Sequence, residues 1–278
     1  MSGMKAYSPK EYWRSVAENS CADDPSGLAP ILYPDSPPWF NQLIDDLQFR
    51  AIRRATKLAG LSADTQILDV GCGTGRWLRR YQQFGFRAMG VDATAAMLRL
   101  ARERGTAVAL TVGDAYRLPF RDATFDAVSD ITVTQHIPQS LQVPALAEMI
   151  RVIRPGGCLI LMELIQGKDK HIFPRTPQGW IEGASSCGAK LIGWFGQEYL
   201  LIDRLFVRAA RTLATRTGGS AGQGANSQVP SYWRPTITRR IYWGLRHVTA
   251  PIAAWVDPAI EMICPARVAT HGVFVFRK

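Results

Sequence analysis

Between residues 62 and 164 the hydrophobic and polar positions follow two alternating patterns. Short apolar runs, each long enough for one buried strand, occupy residues 66–70, 87–91, 107–112, 125–131 and 158–164. Between these runs apolar side chains recur at helical spacing, as in the segment that follows Thr94. Strands that alternate with helices predict an α/β fold, with a doubly wound parallel sheet and helices on both faces.

The flanking segments predict further elements. We expect an amphipathic helix over residues 39–58, a helix that opens at Thr176-Pro177, and strands over 189–194 and 272–276. A helix over 200–213 and a glycine-rich flexible loop over 217–229 are expected before the last strand. These predictions divide the chain into an N-terminal cap segment (1–40), a core (41–200 and 267–278) and a mostly helical insertion (201–266).

Composition limits the class of protein. Of the 278 residues 47% are hydrophobic and 20% are charged, which is typical of a globular chain with a sizeable core. No apolar run reaches the ~18 residues of a transmembrane helix, and residues 1–5 carry no hydrophobic signal segment. The five cysteines are scattered and form no C-x-x-C pair. This argues against a disulfide framework or a structural zinc site and favours a cytoplasmic location.

Positive charge is concentrated in the last two fifths of the chain. Residues 1–165 contain 18 Lys and Arg against 17 Asp and Glu, a net charge of +1. Residues 166–278 contain 15 against 6, a net charge of +9, and 26 of the 33 basic residues in the chain are arginine. Two interpretations remain open: a basic face for a ligand or partner, or an arginine-rich composition that reflects the genome.

The first predicted strand runs into a glycine turn, Asp69-Val70-Gly71-Cys72-Gly73-Thr74-Gly75, which a helix follows. Such a turn presents backbone N–H groups and a helix N-terminus to an anionic group. The spacing is G-x-G-x-G, whereas dinucleotide-binding proteins have G-x-G-x-x-G. A ligand with an amino-acid tail therefore matches the turn better than a pyrophosphate does.

Acidic residues end three successive predicted strands. Asp69, Asp92 and Asp114 lie at the ends of the first, second and third strands. Because the carboxyl ends of parallel strands share one edge of the sheet, the three side chains are expected near one ligand. Asp92 is placed to accept hydrogen bonds from two ribose hydroxyls, and Asp114 from an exocyclic adenine amine. The pattern therefore predicts a nucleoside site.

Five ordered motifs resemble those of the class I S-adenosylmethionine-dependent methyltransferases, over residues 40–200 and the closing strand. They are residues 67–75, Gly90-Val91-Asp92, Gly113-Asp114-Ala115 with Leu118-Pro119-Phe120, Phe125-Asp126-Ala127-Val128 with Gln135-His136-Ile137-Pro138, and Arg154-Pro155-Gly156-Gly157. The resemblance implies a seven-stranded sheet with an antiparallel last strand. It also implies S-adenosylmethionine as cofactor and S-adenosylhomocysteine as its product. Many members have Glu-His where this chain has Gln135-His136, which argues against a metal-assisted reaction.

The resemblance also implies where the cofactor is held. The glycine turn holds its methionine end, Asp92 its ribose and Asp114 its adenine, and the end of the fourth strand lies beside its methyl group. Tyr12 and Trp13 lie in an N-terminal segment that often covers the cofactor in this family; an ordinary packing role is the alternative. No metal ligand is predicted. The predicted cofactor-binding residues are Asp69, Gly71, Cys72 (as a small spacer), Gly73, Gly75, Asp92, Ala93, Met97, Asp114, Ala115, Asp130, Ile131, Tyr12 and Trp13.

Three side chains are candidates for a part in the chemistry. His136 follows the fourth strand; it is either a general base or a ring that packs on the cofactor or bonds a backbone carbonyl. Glu163 interrupts the apolar fifth strand; it is either a site residue or half of a buried ion pair. His171 lies in the loop after that strand, where we expect it to be exposed.

The predicted function is methyl transfer to an O, N or C nucleophile of a small molecule, or of a lipid- or glycan-linked metabolite. The alternatives are a methyltransferase directed at RNA or protein, and a non-catalytic cofactor-binding protein. The insertion leaves three roles open: a lid over a bulky or anionic acceptor, peripheral membrane contact through residues 201–264, or nucleic acid binding. The lid is favoured over a nucleic acid partner, because the sequence contains no recognised RNA-binding module.

Overall fold

The computed structural model describes residues 7–19, 27–28, 31–33, 36–167, 171–200, 205 and 236–278. Its strands are β1 (Gln66–Val70), β2 (Arg87–Asp92), β3 (Ala109–Val112), β4 (Phe125–Ile131), β5 (Ile153–Leu164), β6 (Lys190–Gln197) and β7 (His271–Arg277). They form one seven-stranded sheet in the order β3-β2-β1-β4-β5-β7-β6. Strands β1 to β5 pair in parallel, and β7 is antiparallel to β5. The predicted doubly wound sheet with an antiparallel last strand is confirmed.

Helices accompany the strands throughout the described part of the chain. They are α1 (Pro9–Glu18), α2 (Pro38–Leu58), α3 (Arg76–Gln83), α4 (Ala95–Glu103), α5 (Gln139–Val152), α6 (Pro177–Ser186) and α7 (Thr236–Ile263). Helix α6 begins where the sequence predicts, because the Thr176 hydroxyl accepts the Gly179 N–H (3.1 Å) and Pro177 occupies the first helical position. Helix α2 likewise matches the expected amphipathic helix.

Strand β5 begins earlier than the sequence predicts. The sequence predicts a strand over residues 158–164, after the motif Arg154-Pro155-Gly156-Gly157, but α5 ends at Val152 and β5 already begins at Ile153. The Gly156 N–H donates to the Lys278 carbonyl and the Lys278 N–H donates to the Gly157 carbonyl, both at 3.0 Å. Pairing of Ile153 with Phe125 of β4 and of the two glycines with the distant C-terminus therefore extends the strand towards its N-terminal end, with a register shift opposite β4.

The chain divides into two compact units. The first comprises Met1–Cys21, Ile52–Phe195 and His271–Lys278, and the second comprises Ala22–Ala51 and Gly196–Thr270. In the first unit, apolar residues of β1, β4, β5 and β7 form one core with buried side chains of α5 and α6. In the second, Phe40 and Ile44 of α2 pack with Trp243 and three alanines of α7. The boundary between the units thus lies inside α2, between Ala51 and Ile52, whereas the sequence suggested that the core begins at residue 41.

Parts of the predicted insertion lie outside the described residues. This applies to the helix over 200–213, apart from residues 200 and 205, and to the whole loop over 217–229. The aromatic and basic segment that follows forms the long helix α7. Within the described ranges, no helix has both the length and the apolar character needed to cross a membrane.

Candidate functional site

The turn between β1 and α3 requires glycine at three positions. Gly71, Gly73 and Gly75 have φ angles of +65°, +51° and +75°, in the left-handed region that other residues avoid. A Cβ on Gly71 would also collide with the Val133 side chain, and one on Gly75 with Thr106. Gly75 is the N-cap of α3 and provides no side-chain cap, so the turn presents backbone to a ligand.

Asp92, at the end of β2, holds this turn from the neighbouring strand. Its Oδ2 accepts a hydrogen bond from the Gly73 N–H (3.0 Å), and its Oδ1 accepts one from the Thr94 N–H (2.8 Å). The residue is buried, and burial raises its pKa above the ordinary aspartate value. Because an ionised carboxylate has about four acceptor positions, each oxygen keeps capacity for a further donor such as a ribose hydroxyl.

Asp69, in β1, is 1% exposed and only partly satisfied. Its Oδ1 accepts a hydrogen bond from the Ser129 hydroxyl (2.8 Å), whereas its Oδ2 has no hydrogen-bond partner among the described residues. Burial raises the pKa of Asp69 to about 7, against the opposing effects of the Ser129 hydroxyl and of Arg76. A buried carboxyl oxygen without a donor is destabilising on its own, so this atom is suited to a donor supplied by a ligand or water.

These features fit the cofactor that the resemblance implies. S-adenosylmethionine has an amino-acid tail with an ammonium and a carboxylate, and a ribose with two hydroxyls. The chain offers a turn with no room for a Cβ at Gly71 or Gly75, a spare acceptor oxygen on Asp69, and a buried carboxylate on Asp92 with remaining acceptor capacity. All of them lie at the carboxyl ends of β1 and β2 or next to them, where ligands of such sheets bind.

The residues predicted to hold the adenine lie next to helix α1. Asp114 follows β3, and its carboxylate pairs with Lys10 Nζ of α1 at 3.2 Å in a partly exposed ion pair. Met97 of α4 packs with Trp13 and Ala17 of α1 in a small hydrophobic cluster. Helix α1 therefore contacts two elements of the predicted cofactor site, while the adenine contacts themselves stay a prediction.

Two buried carboxyl groups hold the loop after β4. Asp130 and Glu163 are both 0% exposed and are hydrogen-bonded to each other. Asp130 also accepts the N–H (3.3 Å) and the hydroxyl of Thr134. Glu163 accepts the N–H groups of Val133, Thr134 and Gln135, each at 2.9 Å. Three consecutive backbone donors are thus fixed by one side chain.

The same loop contains a strained backbone position. Thr132 has a φ of +60°, which is rare for a β-branched residue, and its N–H donates to the Met162 carbonyl (2.7 Å). Burial and the neighbouring carboxyl of Asp130 raise the pKa of Glu163. The partners of Glu163 among the described residues are backbone N–H groups and a carboxyl, not the basic side chain of an ion pair. This supports a positioning role; contact with the reacting groups stays a prediction.

His136 is buried, and both of its ring nitrogens have neighbours. Nδ1 lies 3.1 Å from the His171 carbonyl oxygen, which can only accept, so Nδ1 carries the proton. Nε2 lies 3.4 Å from the amide nitrogen of Gln135, whose Oε1 accepts the Leu164 N–H (2.7 Å). Burial and the neighbouring His171 lower the pKa of His136 to about 3, which makes it a weak base at neutral pH. These contacts favour the alternative in which the ring bonds a backbone carbonyl.

His171 is half-buried in a cluster of rings, and the expectation that it is exposed is wrong. Tyr12 of α1 stacks on it with ring centroids 4.6 Å apart, and the Tyr12 hydroxyl lies 3.4 Å from Nε2. The His136 ring lies parallel to it at 5.4 Å, and Trp13 meets His136 edge-on at 5.0 Å. The structure therefore brings all four ring residues predicted from the sequence into one cluster beside the loop after β4.

Two residues of this cluster escaped the sequence analysis. Tyr7 donates its hydroxyl to the His136 carbonyl (3.2 Å) and packs on Phe173. Gln142 of α5 is 0% exposed, and its amide donates to the carbonyl oxygens of Thr134, Ile137 and Phe173. A polar residue among the apolar positions of α5 was the available signal for Gln142. Tyr7 offered only its closeness in sequence to Tyr12.

The remaining predicted residues occupy ordinary structural positions. Cys72 is buried, burial raises the pKa of its thiol, and its N–H donates to the Val91 carbonyl (3.0 Å), which suits a spacer rather than a nucleophile. Ala115 and Ile131 are buried and Ala93 is half-buried. No group of three or more His, Cys, Asp or Glu side chains in the described ranges is placed to hold a metal ion.

Known proteins similar to this chain include methyltransferases with different acceptors. Residues 67–157 match the family described as methyltransferase domain. The chain is 35% identical over 143 residues to a probable tRNA methyltransferase 9B of Bos taurus. This alignment covers 50% of this chain and 30% of that protein. The chain is also 36% identical over 123 residues to a demethylmenaquinone methyltransferase of Lactiplantibacillus plantarum. This alignment covers 41% of this chain and 51% of that protein. The matches thus span about half the length of these relatives or less.

Among solved structures, the cyclase SpnF shares the fold. Its TM-score is 0.56 at 19% sequence identity, over 96% of this chain and 91% of that one. At this identity the likeness concerns the fold alone, since one fold supports several chemistries. The matched family, the strand order and the glycine turn agree with one another. Residues 67–157 match the methyltransferase domain family, and the sheet that contains them has the antiparallel last strand implied by the resemblance to class I S-adenosylmethionine-dependent methyltransferases.

Proposed function

We propose that this protein binds S-adenosylmethionine at the glycine turn and transfers the methyl group to an oxygen, nitrogen or carbon nucleophile. The acceptor is a small molecule, or a lipid- or glycan-linked metabolite. One juxtaposition carries the proposal: a turn with left-handed glycines lies between the spare acceptor oxygen of Asp69 and the buried carboxylate of Asp92. That arrangement matches an ammonium and a ribose diol on one ligand.

In this proposal the protein's own residues bind, orient and exclude water. When bound, S-adenosylmethionine supplies a methyl group that is already activated on a sulfonium. Asp92 accepts the ribose hydroxyls while it keeps Gly73 in place. Tyr12 and Trp13 shield the site from solvent, and the loop held by Glu163 aligns the acceptor with the methyl group. Alignment and exclusion of water are the main contributions that such a transfer requires.

A base is required only for an acceptor that must lose a proton. His171 suits this role better than His136, because its Nε2 lies within reach of the Tyr12 hydroxyl, through which a proton can pass. His136, with its pKa lowered to about 3, stays neutral and accepts protons poorly. We therefore assign the proton transfer, for acceptors that need it, to His171 together with Tyr12.

An RNA acceptor is the second candidate, and one finding favours it. One similar protein is named as a probable tRNA methyltransferase, whereas the other is named for demethylmenaquinone. The two alignments cover half of this chain or less. Transfer of labelled methyl groups, offered separately to RNA and to small-molecule extracts, distinguishes the two candidates. Label in RNA alone contradicts our first choice.

Calorimetric titration tests the cofactor site itself. The protein should bind S-adenosylhomocysteine, and NAD should not compete. Asp92→Asn replaces one acceptor oxygen by a donor, and charged hydrogen bonds contribute about 1.5–3 kcal/mol each, so affinity should fall at least ~10-fold. Asp64→Asn is the matched control, because Asp64 is exposed and asparagine tolerates its φ of +68°. Equal affinity in wild type and Asp92→Asn would place the ribose elsewhere.

At this position Asp92→Asn is a better test than Asp92→Ala. Asp92→Ala would remove the acceptor of the Gly73 and Thr94 N–H groups as well as that of the ribose, and would disturb the turn. Asp92→Asn keeps one of these acceptors. A loss of binding with an unchanged unfolding temperature then reports on the ligand rather than on the fold.

A further inference from the structure

Helix α7 exposes a stripe of large apolar side chains. Leu245, Val248, Ile252 and Trp255 are 50%, 61%, 49% and 81% exposed. Their spacing of three, four and three residues places them along one face of the helix. We call these four residues the α7 stripe. Exposed large hydrophobic residues that occur singly are ordinary, but four in line on one helix are not.

The opposite face of α7 is already used for packing. Trp243, Ala250, Ala253 and Ala254 are buried in the core of the second unit, and the buried guanidinium of Arg246 lies 4.3 Å from the centre of the Phe40 ring. The helix is therefore apolar on both sides, while only one side is covered. A helix that is hydrophobic all round is normally buried or lies against lipid.

The chain segment that leads up to and includes the stripe has a single sign of charge. Residues 204–256 contain eight arginines and no aspartate, glutamate or lysine. On the exposed side of α7, Gly244, Pro251 and Ala259 flank the stripe, so the adjoining positions add no charge to it. An apolar strip within a chain segment of uniformly positive charge is complementary to a surface that is both apolar and anionic.

The size of the stripe argues against a second copy of this chain as its partner. From the fractional exposures, the four side chains offer roughly 500 Å², whereas a stable protein interface needs about 800 Å² from each partner. Nucleic acid is also a poor match, because three of the four side chains are aliphatic and cannot stack on bases. Trp255, in contrast, belongs to the residue type that prefers the boundary between lipid and water.

We propose that the α7 stripe docks this protein on an anionic lipid membrane. The helix lies along the membrane surface, with Leu245, Val248, Ile252 and Trp255 among the headgroups and upper acyl chains. The positive charge that the sequence carries between residues 204 and 256 makes an anionic membrane the expected partner. The inference does not depend on methyl transfer, because it rests on the second unit alone.

Co-sedimentation with lipid vesicles tests this inference on the full-length protein. We expect binding to vesicles that contain phosphatidylglycerol, weaker binding at high salt, and little binding to phosphatidylcholine alone. The triple variant V248S/I252S/W255S should lower the partition coefficient at least ~10-fold. The matched control L58S/I192S removes two large apolar side chains that are 42% and 38% exposed elsewhere, and should bind as wild type does.

Four results would overturn the inference. The wild type fails to bind the anionic vesicles, the triple variant binds them as well as wild type, or the control loses binding to the same extent. The fourth is a dimer in sedimentation velocity that the triple variant abolishes without a change in vesicle binding, which would assign the stripe to a second copy. If circular dichroism shows that the triple variant is unfolded, Trp255→Ser alone decides, with at least a ~3-fold loss expected.

Discussion

At the residue scale, the ionisable groups at the ends of β1, β4 and β5 are shifted towards their neutral forms. Burial raises the pKa values of Asp69, Asp130 and Glu163 and lowers that of His136. Groups in this state give and accept directed hydrogen bonds with little net charge between them. The pH dependence of stability is therefore determined by the environment of each side chain rather than by its residue type.

Asp69→Asn should change stability in a pH-dependent way. The folded protein keeps the Asp69 proton up to about pH 7, whereas the unfolded chain releases it near the ordinary pKa of 3.8. Stability associated with this group is therefore present at low pH and lost as pH rises towards 7. Asparagine does not titrate, so the variant should gain roughly 3 kcal/mol relative to wild type between pH 5 and 8.

Urea unfolding at several pH values measures that difference. Asp64→Asn serves as control, because its exposed carboxylate should give a difference that does not vary with pH. A constant difference for Asp69→Asn over the same range would show that Asp69 is not held protonated in the folded state.

Glu163→Gln should impair turnover more than cofactor binding. The glutamine oxygen can still accept the Val133 and Thr134 N–H groups, but its amide meets the Gln135 N–H with a donor. An unsatisfied buried donor costs about 1–3 kcal/mol, which the strained loop at Thr132 should relieve by moving. We expect kcat to fall at least ~10-fold while the affinity for S-adenosylhomocysteine stays within ~3-fold.

The control for this variant is Glu148→Gln. Glu148 also accepts a backbone N–H, that of Leu118 (2.8 Å), but it belongs to α5 and not to the loop after β4. It should retain wild-type kcat. If both variants lose turnover equally, loss of a carboxylate in general explains the effect and the positioning role is refuted.

His171→Asn should lower kcat at least ~10-fold for an acceptor that loses a proton. The affinity of the protein for S-adenosylhomocysteine should stay unchanged. Tyr12→Phe should show a smaller loss, because the ring stack remains and only the hydroxyl is removed. The control is His247→Asn, which replaces an exposed histidine of α7 and should leave kcat at the wild-type value. Wild-type kcat in His171→Asn would remove His171 from the mechanism.

At the scale of elements, helix α1 ties the N-terminus to the predicted site. Ser8 caps the helix through the Glu11 N–H (3.4 Å), and one face packs on α4 through Ala17 and Trp13. The ion pair of Lys10 with Asp114 is partly exposed and contributes only ~0–1 kcal/mol. The helix is therefore held mainly by its apolar contacts and by its rings against His136 and His171.

Trp13→Ala should loosen this helix. It removes a side chain that packs near Met97 and meets the His136 ring edge-on, so stability should fall by about 1–3 kcal/mol. S-adenosylhomocysteine should dissociate faster, which stopped-flow displacement measures. Trp255→Ala removes a tryptophan that is 81% exposed and should alter neither quantity. Equal dissociation rates in wild type and Trp13→Ala would mean that α1 does not cover the cofactor.

At the scale of the whole molecule, the chain separates cofactor binding from the insertion. All predicted cofactor residues belong to the first unit, whereas α7 and residues 196–270 belong to the second. The lid role predicted for residues 201–266 is a proposal that a deletion can test.

Deleting Arg204–Ser231 tests the lid. The affinity for S-adenosylhomocysteine should stay within ~3-fold, because the deletion leaves the first unit intact, while transfer to the true acceptor should largely disappear as alignment is lost. Circular dichroism must first show that the shortened protein folds. Full turnover of a soluble acceptor would refute the lid.

The sequence by itself determined the sheet, the glycine turn and the order of the motifs, because these depend on local signals. Hydrophobic runs specify strands β1 and β4 to the residue, and left-handed backbone angles demand glycine at residues 71, 73 and 75. Only the tertiary structure decided the early start of β5, which depends on pairing with Phe125 of β4 and with Lys278 at the other end of the chain. It also decided the states of Glu163 and His136, because desolvation and backbone donors come from segments that no local pattern brings together.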